Sequence, residues 1–167
     1  MKKNLLLVSA LMLLCATLAS AQTAAPSAAD KAATAKVVQL LEGSGHGYTK
    51  AKDGIWIVNF KGNQLPEFAV ITIYSEGMLI FATTLAEKAE FKTTPELMQK
   101  LLNLNDSLDR VKVGLNANGG AFVRIDLTLR VVDQTEFKAN LEQVSAAVDE
   151  TYAVLKPFLL APKKAAK

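Results

Sequence analysis

The sequence has very little of the side-chain chemistry that most catalytic and metal-binding sites use. Its 167 residues include one cysteine, Cys15, and one histidine, His46. Cysteine and histidine metal sites need several such ligands, and nucleophilic catalysis needs a nucleophile beside a base and an orienting group. The sequence has no calcium-loop, phosphate-loop or dinucleotide-binding spacing either. The composition therefore predicts a protein that is not an enzyme and that binds no metal or cofactor.

The few remaining candidates for chemistry are better explained as structural residues. His46 stands between two glycines without a serine, cysteine or carboxylate at a fixed spacing, so we interpret it as a bystander in a loop. Asp106, Asp109 and Asp126 would have to converge in space to act together in hydrolysis or metal binding. We interpret them instead as helix-end and surface carboxylates.

Residues 1–21 have the pattern of a secretory signal peptide. Two lysines precede an apolar run from Leu5 to Ala16, and the segment ends in a small-residue cleavage motif whose last residue is Ala21, followed by Gln22. A bilayer-spanning helix needs about 20 apolar residues, which is more than this run contains. We therefore expect cleavage before Gln22 and no stable membrane insertion.

Removal of this segment changes both the cysteine count and the charge. Cys15 leaves with it, and a lipid anchor at Cys15 is disfavoured because Leu14 rather than a small residue precedes that cysteine. The mature chain of 146 residues then has no disulfide, and we expect a periplasmic protein, with outright secretion as the alternative.

Because two lysines are lost with the signal peptide, the net charge falls from +3 to +1. This balance lacks the basic excess of nucleic-acid-binding proteins, so no nucleic-acid partner is expected.

Behind the signal peptide the sequence divides into three parts. Residues 22–28 are typical of a disordered leader, residues 29–160 form one domain, and residues 161–167 form a basic flexible tail. Within the domain, the apolar spacings predict the order helix, three strands, helix, two strands, helix. A further short strand near residues 48–50 is a candidate partner for the strand at residues 55–60. Tight turns between strands indicate an α+β protein with an antiparallel sheet of about five strands and three helices.

Three segments carry the residue types that begin helices. Ser27 with Asp30 and Asp133 with Glu136 match the capping box, and Thr94 precedes a proline in the first helical turn. These residues predict helices that begin directly after Ser27, Thr94 and Asp133.

The second half of the domain carries a family resemblance. Its elements are the helix opened by Pro95-Glu96-Leu97 with an asparagine-rich end, the hairpin from Lys112 to Arg130, and the long helix from Glu136 to Leu155. Together they resemble the YbjN family, which is described as bacterial sensory transduction regulators and is similar in structure to type III secretion chaperones. The resemblance implies a small α+β domain that often dimerises and holds peptide segments or partner proteins. The chain departs from those chaperones, which are typically acidic and cytosolic, in its near-neutral charge and its export signal.

The strand at residues 55–60 is apolar on both faces, which leaves open what covers each face. Ile55 and Ile57 point to one side, and Trp56, Val58 and Phe60 point to the other. In one interpretation, helices cover both faces of the sheet. In the other, Trp56, Val58 and Phe60 help to form a subunit or partner surface of the aromatic kind.

The last hairpin carries a second candidate surface. Arg124, Asp126 and Arg130 lie on its outer face, as expected for a cross-strand charge set exposed to water, and the two cations are also candidates for binding an anionic peptide end. These surfaces favour an exported, non-enzymatic module that recognises a protein, a peptide or a second copy of itself through strand edges and apolar faces. The alternative function is a periplasmic carrier whose sheet and helices enclose a small hydrophobic ligand.

The N-terminus of the exported protein tests the signal-peptide assignment. We predict that it is Gln22, because the preceding Ala-Ser-Ala segment presents small residues to the signal peptidase. N-terminal sequencing and intact-mass measurement of protein from its producing cell check this. A chain that still begins at Met1, or a lipid on Cys15, would contradict the assignment.

Overall fold

The helices and strands follow the order expected from the sequence, with one strand added before the first predicted one. A computed structural model describes residues 27–161. Its main elements are α1 (Ala28–Gly43), β1 (Tyr48–Lys52), β2 (Ile55–Phe60), β3 (Phe68–Ser75), β4 (Met78–Ala86), α2 (Pro95–Ser107), β5 (Lys112–Leu115), β6 (Ala121–Thr128) and α3 (Gln134–Leu155). The α+β class is confirmed. The sheet has six strands because the short candidate segment pairs with β2 as β1.

The boundaries of the domain are only partly within the described residues. The signal peptide, its cleavage site at Ala21 and Gln22, and most of the predicted leader and tail lie outside them. At the N-terminal boundary, α1 begins at Ala28 with Ser27 as its N-cap. Residue 28, which we predicted as the last residue of the leader, is therefore the first residue of this helix.

The first two helices begin as their capping residues predict. The Ser27 hydroxyl accepts a hydrogen bond from the backbone N–H of Asp30 at 3.1 Å, and the Asp30 carboxylate accepts one from the backbone N–H of Ser27 at 3.2 Å. The Thr94 hydroxyl accepts a hydrogen bond from the backbone N–H of Leu97 at 3.1 Å. These side chains satisfy N–H groups that the first turn of a helix leaves without a partner.

The start of α3 differs in one detail from the predicted capping box. Asp133 caps the helix by accepting a hydrogen bond from the backbone N–H of Glu136 at 2.8 Å. The Glu136 carboxylate does not return a bond to Asp133, because it accepts hydrogen bonds from the side chains of Arg110 and Asn140. Half of the box is thus replaced by a contact with Arg110 and by a contact with Asn140 in the next turn of α3.

The six strands form one antiparallel sheet in the order β1-β2-β3-β4-β6-β5. The first four strands are a meander, and the β5–β6 hairpin joins it because β6 pairs with β4. The β3–β4 turn consists of Glu76 and Gly77, with φ angles of 50° and 79°. Two positive φ angles give a turn whose twist matches that of the flanking strands. Strands β1 and β5 are left as the two edges of the sheet.

One face of the sheet, the core face, is buried beneath the helices. Alternate strand residues are fully buried on this face, among them Trp56, Val58, Val70, Leu79, Phe81, Val123 and Ile125. They share one apolar cluster with residues of all three helices, including Val37, Leu41, Leu97, Leu101, Phe137, Leu141 and Val148. The ring of Phe137 in α3 meets the ring of Phe81 edge to face, with their centroids 5.1 Å apart. Burial of this face supplies the hydrophobic stabilisation of the fold.

The burial of Trp56 leads to a prediction about stability. Trp56→Ala removes an indole that is 1% exposed and leaves a cavity, so we expect the free energy of unfolding to fall by about 3–5 kcal/mol. Leu102→Ala is the control at a surface position and should cost less than about 1 kcal/mol, because that side chain is 60% exposed. Urea unfolding followed by circular dichroism measures both. Equal losses would show that the indole contributes no more than a surface residue.

Candidate partner-binding surfaces

The aromatic surface suggested by the sequence lies mainly inside the protein. Trp56 and Val58 are 1% and 0% exposed and belong to the core beneath the helices. The alternation in β2 was predicted correctly, but Ile55 and Ile57 are the pair that faces outward. The assignment of Trp56 and Val58 to a partner surface is therefore corrected. Helices on both faces are not found either, because the described helices share one cluster with the core face alone.

Phe60, the third residue of that predicted surface, lies in a small aromatic group at the end of β2. Its ring centroid is 4.9 Å from that of His46 and 5.8 Å from that of Phe68. His46 is half-buried, and its backbone N–H donates a hydrogen bond to the Ser44 hydroxyl at 3.2 Å. The single histidine thus packs against an aromatic ring, which fits its interpretation as a structural residue.

The outward side of the central strands is a continuous apolar surface, which we name the open face. The register places Ile55 opposite Ile73 and Ile57 opposite Ile71, and the next strand adds Ile80 opposite Ile73. The open face consists of Ile55, Ile57, Ala69, Ile71, Ile73, Met78, Ile80 and Ala82, all of them partly exposed. Contiguous apolar patches of this kind mark sites of interaction with other proteins.

A charged group borders the open face on the β5–β6 side. Asp126 accepts hydrogen bonds from Nζ of Lys112 at 2.7 Å and from Nε of Arg124. The register sets Asp126 opposite Ile80 and Arg124 opposite Ala82. Burial raises the pKa of Asp126, but the two cationic donors outweigh burial and hold the pKa below its ordinary value. The negative charge of this carboxylate is therefore balanced by two cations of the same chain.

Arg130 is not part of this charged border. It follows β6 in a short 3-10 turn, Leu129–Val131, and lines a groove of about 560 Å³ between that turn, α1 and the β3–β4 turn. We expected Arg124 and Arg130 on one outer face. The structure separates them because the strand ends at Thr128 and the strict alternation of side chains ends with it.

The groove beside Arg130 contains two hydrogen bonds that tie α1 to the sheet. Nζ of Lys36 donates to the backbone carbonyl of Leu129 at 2.9 Å, and the Tyr74 hydroxyl donates to the Asp30 carboxylate at 3.3 Å. Burial and then the neighbouring Asp30 charge raise the pKa of Tyr74. Both polar groups thus have partners within the fold, while the floor of the groove is mainly apolar.

The two edges of the sheet differ in how much of their backbone is available. At β5, the side-chain amide of Asn105 donates to the carbonyl of Val113 at 2.7 Å and accepts from its N–H at 2.8 Å. This amide takes the place that a neighbouring strand would occupy. At β1, residues 49–52 are exposed, and no strand of the described chain pairs on their outer side. This role of Asn105 was not predicted from the sequence. The signal for it is an asparagine at the end of a helix that precedes an edge strand.

A carboxylate in α3 organises the loop between β2 and β3. Asp149 accepts hydrogen bonds from the backbone N–H groups of Asn63, Gln64 and Leu65 at 3.0, 2.8 and 2.9 Å. These bonds, the one from Leu65 first, lower the pKa of Asp149 below its usual value. No local pattern in the sequence indicates this contact, because the partners are 84 to 86 positions apart.

The described residues offer no cluster for metal chemistry. Within residues 27–161, no group of three or more His, Cys, Asp or Glu side chains is arranged to hold a metal ion. Asp106, Asp109 and Asp126 are accordingly not brought together there. In the same part of the chain, every helix is too short or too polar to cross a membrane.

These features define a small α+β domain in which helices cover one face of an antiparallel sheet and the other face is left open. The chain belongs to the YbjN family. The family model, described as "Putative bacterial sensory transduction regulator", matches residues 34–157. This match confirms the resemblance noted in the sequence. Among curated proteins, no significant match to the sequence is found.

Solved structures share this fold at low sequence identity. YbjN from E. coli, described as a putative transcription regulator, superposes with a TM-score of 0.56 at 18% identity, covering 76% of this chain and 95% of that chain. The heterodimeric ExoU-SpcU complex from the type III secretion system of Pseudomonas aeruginosa contains a chain that superposes with a TM-score of 0.53 at 17% identity, covering 71% and 97%. Similarity at this level establishes a common fold.

The contacts of Asp149 predict an acid sensitivity. Because its pKa is lower in the folded than in the unfolded state, its stabilising contribution is present at neutral pH and is lost as the pH falls through the folded-state pKa. We expect Asp149→Asn to lower the melting temperature at neutral pH and to reduce the loss of stability between about pH 5 and about pH 2.

Glu150→Gln is the matched control for this prediction. It removes a charge from the adjacent exposed residue, which forms no hydrogen bond with another described residue through its carboxylate, so the melting temperature should stay close to that of the wild type. Thermal unfolding at a series of pH values measures all three proteins. An unchanged acid dependence in Asp149→Asn would contradict the assignment.

Proposed function

We propose that this protein is an exported, non-enzymatic binding module that holds an extended segment of a partner polypeptide along the edge of β1. The observation that carries the proposal is the difference between the two edges of the sheet. At one edge, the Asn105 amide forms hydrogen bonds with the backbone carbonyl and N–H of Val113. At the other edge, the exposed residues 49–52 lack a neighbouring strand within the described chain. An exposed edge strand can form main-chain hydrogen bonds to an added strand.

The charge of β1 indicates which partner fits. Lys50 and Lys52 are both exposed, and Lys50 forms an ion pair with Asp53 at 2.6 Å. Lys52 forms no ion pair with any residue of the described segment. Lysines on an edge disfavour pairing between two copies of the same edge, because such pairing brings like charges together. An acidic extended segment is therefore the partner chemistry that suits β1.

The comparisons with known proteins support a binding role. The ExoU-SpcU neighbour is a heterodimeric complex, and the family description is that of a sensory transduction regulator. From the complex and the family description together, we propose that this chain is a regulator or chaperone-like protein that acts by binding a polypeptide. Export to the periplasm, with secretion as the alternative, rests on the signal-peptide pattern of residues 1–21. Self-association as a homodimer is part of the same proposal and rests on the open face.

A carrier of a small hydrophobic ligand is the second candidate function. The groove beside Arg130, described above, has a volume of about 560 Å³, which falls within the range of small-molecule sites. Its lining includes the apolar side chains of Ala32, Ala33, Met78 and Leu129. This groove favours a ligand that lies between α1 and the β3–β4 turn.

Site-specific photo-crosslinking tests the proposed binding edge. A photoreactive amino acid in place of Ala51 in β1 is expected to capture a polypeptide in the producing cell, whereas the same residue in place of Ala139, exposed on α3, is not. Peptide mapping should locate the adduct in an acidic segment. Lys52→Glu should reduce the adduct yield at Ala51 by about fivefold, which corresponds to about 1 kcal/mol.

Native mass spectrometry of protein from the same cells separates the two functions. The proposal predicts the chain alone, as a homodimer, or with a bound polypeptide. A monomer that carries the added mass of a small molecule, together with equal or absent adducts at Ala51 and Ala139, would overturn the proposal in favour of the carrier.

A further inference from the structure

We propose that the groove beside Arg130 binds a long-chain carboxylate, whose head group lies at Lys36 and Arg130 and whose alkyl chain lies on the apolar floor of the groove. This inference rests on the second candidate function, the carrier, and names the chemical class of its ligand. The groove contains no residue of β1. A ligand in the groove is therefore compatible with a partner strand at the edge of β1.

Two cationic side chains line the groove without a carboxylate partner in the described chain. Within residues 27–161, neither Lys36 nor Arg130 takes part in an ion pair. The hydrogen bond of 2.9 Å from Nζ of Lys36 to the carbonyl of Leu129 places the ammonium beside the residue that precedes Arg130. An ammonium that donates one hydrogen bond to a neutral carbonyl keeps its charge and two further N–H donors. Both side chains are thus available for charge-assisted hydrogen bonds to a carboxylate.

The charges around the groove suit a ligand with a single negative charge. Among the described residues, Glu76 in the β3–β4 turn is the one carboxylate of the lining, so the two cations leave an excess of one positive charge. Asp30 of α1 already accepts hydrogen bonds from the hydroxyls of Ser27 and Tyr74, at 2.7 and 3.3 Å. A carboxylate head group balances the excess charge, whereas a phosphate monoester carries about −1.5 to −2 and a quaternary ammonium adds to the positive charge.

Small side chains form the apolar part of the groove. Ala32 and Ala33 of α1 line it together with Met78 and Leu129. The buried residues of α1 all lie in the second half of the helix, at Val37, Leu40 and Leu41. Because alanine fills less space than valine or leucine, the first half of α1 leaves a groove of about 560 Å³ instead of a packed contact. An alkyl chain in this groove would bury apolar surface along its length.

An alkyl chain fits this groove better than a peptide, because the backbone groups along it already have partners. The carbonyl of Gly77 accepts a hydrogen bond from the backbone N–H of Leu129 at 2.9 Å, and the carbonyl of Leu129 accepts the one from Lys36. A peptide in the groove would bury main-chain groups that need hydrogen-bond partners of their own. An alkyl chain needs none, and its head group needs only the two cations.

Isothermal titration calorimetry with dodecanoate tests the proposed ligand class. The protein is purified from its producing cell, and bound lipid is removed on a hydrophobic resin. We expect dodecanoate to bind at one site. Decanoate, which is shorter by two methylene groups, should bind about tenfold more weakly because it buries less apolar surface. Dodecanol and dodecyltrimethylammonium should bind at least about tenfold more weakly than dodecanoate because they lack its negative charge.

Arg130→Gln tests the position of the head group. The side chain is exposed, so the fold should be unaffected. We expect the affinity for dodecanoate to fall at least about tenfold and the affinity for dodecanol to stay unchanged. Lys31→Gln is the matched control, because it removes a positive charge from an exposed position of α1 that does not line the groove. Its affinity for dodecanoate should stay within about twofold of the wild type.

Ala33→Leu tests the position of the alkyl chain by filling the groove from the side of α1. It should weaken the binding of dodecanoate and of dodecanol at least about tenfold. Ala35→Leu is the matched control at an exposed position of the same helix outside the groove lining, and it should bind both ligands as the wild type does. Circular dichroism establishes that each variant is folded, and if Ala33→Leu fails to fold, Arg130→Gln decides.

A wild type that does not bind dodecanoate, or an unchanged affinity in the folded Arg130→Gln or Ala33→Leu variant, would overturn the inference. Dodecyl phosphate that binds at least about tenfold more tightly than dodecanoate would overturn the carboxylate assignment. Equal affinities for dodecanoate and dodecanol would also overturn it, but would leave the carrier of an uncharged ligand as a candidate function. None of these variants changes β1, and adducts at Ala51 are scored separately. Failure of the ligand site and failure of the binding edge are therefore distinguishable.

Discussion

The structure depends on the burial of only one face of its sheet. Alternate residues of β2, β3, β4 and β6 form the core face, and α1 and α3 bury it, with Trp56, Phe81 and Phe137 at its centre. α2 joins the same core beside β5. Because the described helices lie on this side, the isoleucines of the opposite side keep part of their surface in water. The fold thereby gains its stability and its open apolar surface from the same arrangement.

Polar side chains complete this arrangement at the places where backbone groups would otherwise lack partners. Asn105 forms hydrogen bonds with the backbone of the edge strand β5, and Asp149 accepts hydrogen bonds from three N–H groups of the β2–β3 loop. Asp126 is held by two cations, and His46 packs on the ring of Phe60. These four side chains are thus engaged in structural contacts. Within residues 27–161, the outer edge of β1 has no neighbouring strand and the open face has no covering helix.

The two surfaces have different physical characters and therefore suit different partners. The edge of β1 offers backbone groups beside lysines, which favours one extended acidic strand. The open face offers area without exposed backbone donors, which favours a broad apolar partner.

The sequence by itself determined the local elements. Ser27, Thr94 and Asp133 mark the helix starts, and alternation marks the strands, because these signals act between residues at most a few positions apart. The fold class and the family followed from their order. The tertiary structure alone decided which face of β2 is buried, since Ile55-Trp56-Ile57-Val58 is apolar on both sides and only the docking of the helices distinguishes them. It alone placed Asp149 on the distant β2–β3 loop, closed the β5 edge with Asn105 and separated Arg124 from Arg130, because these positions depend on how the helices, loops and strands pack together.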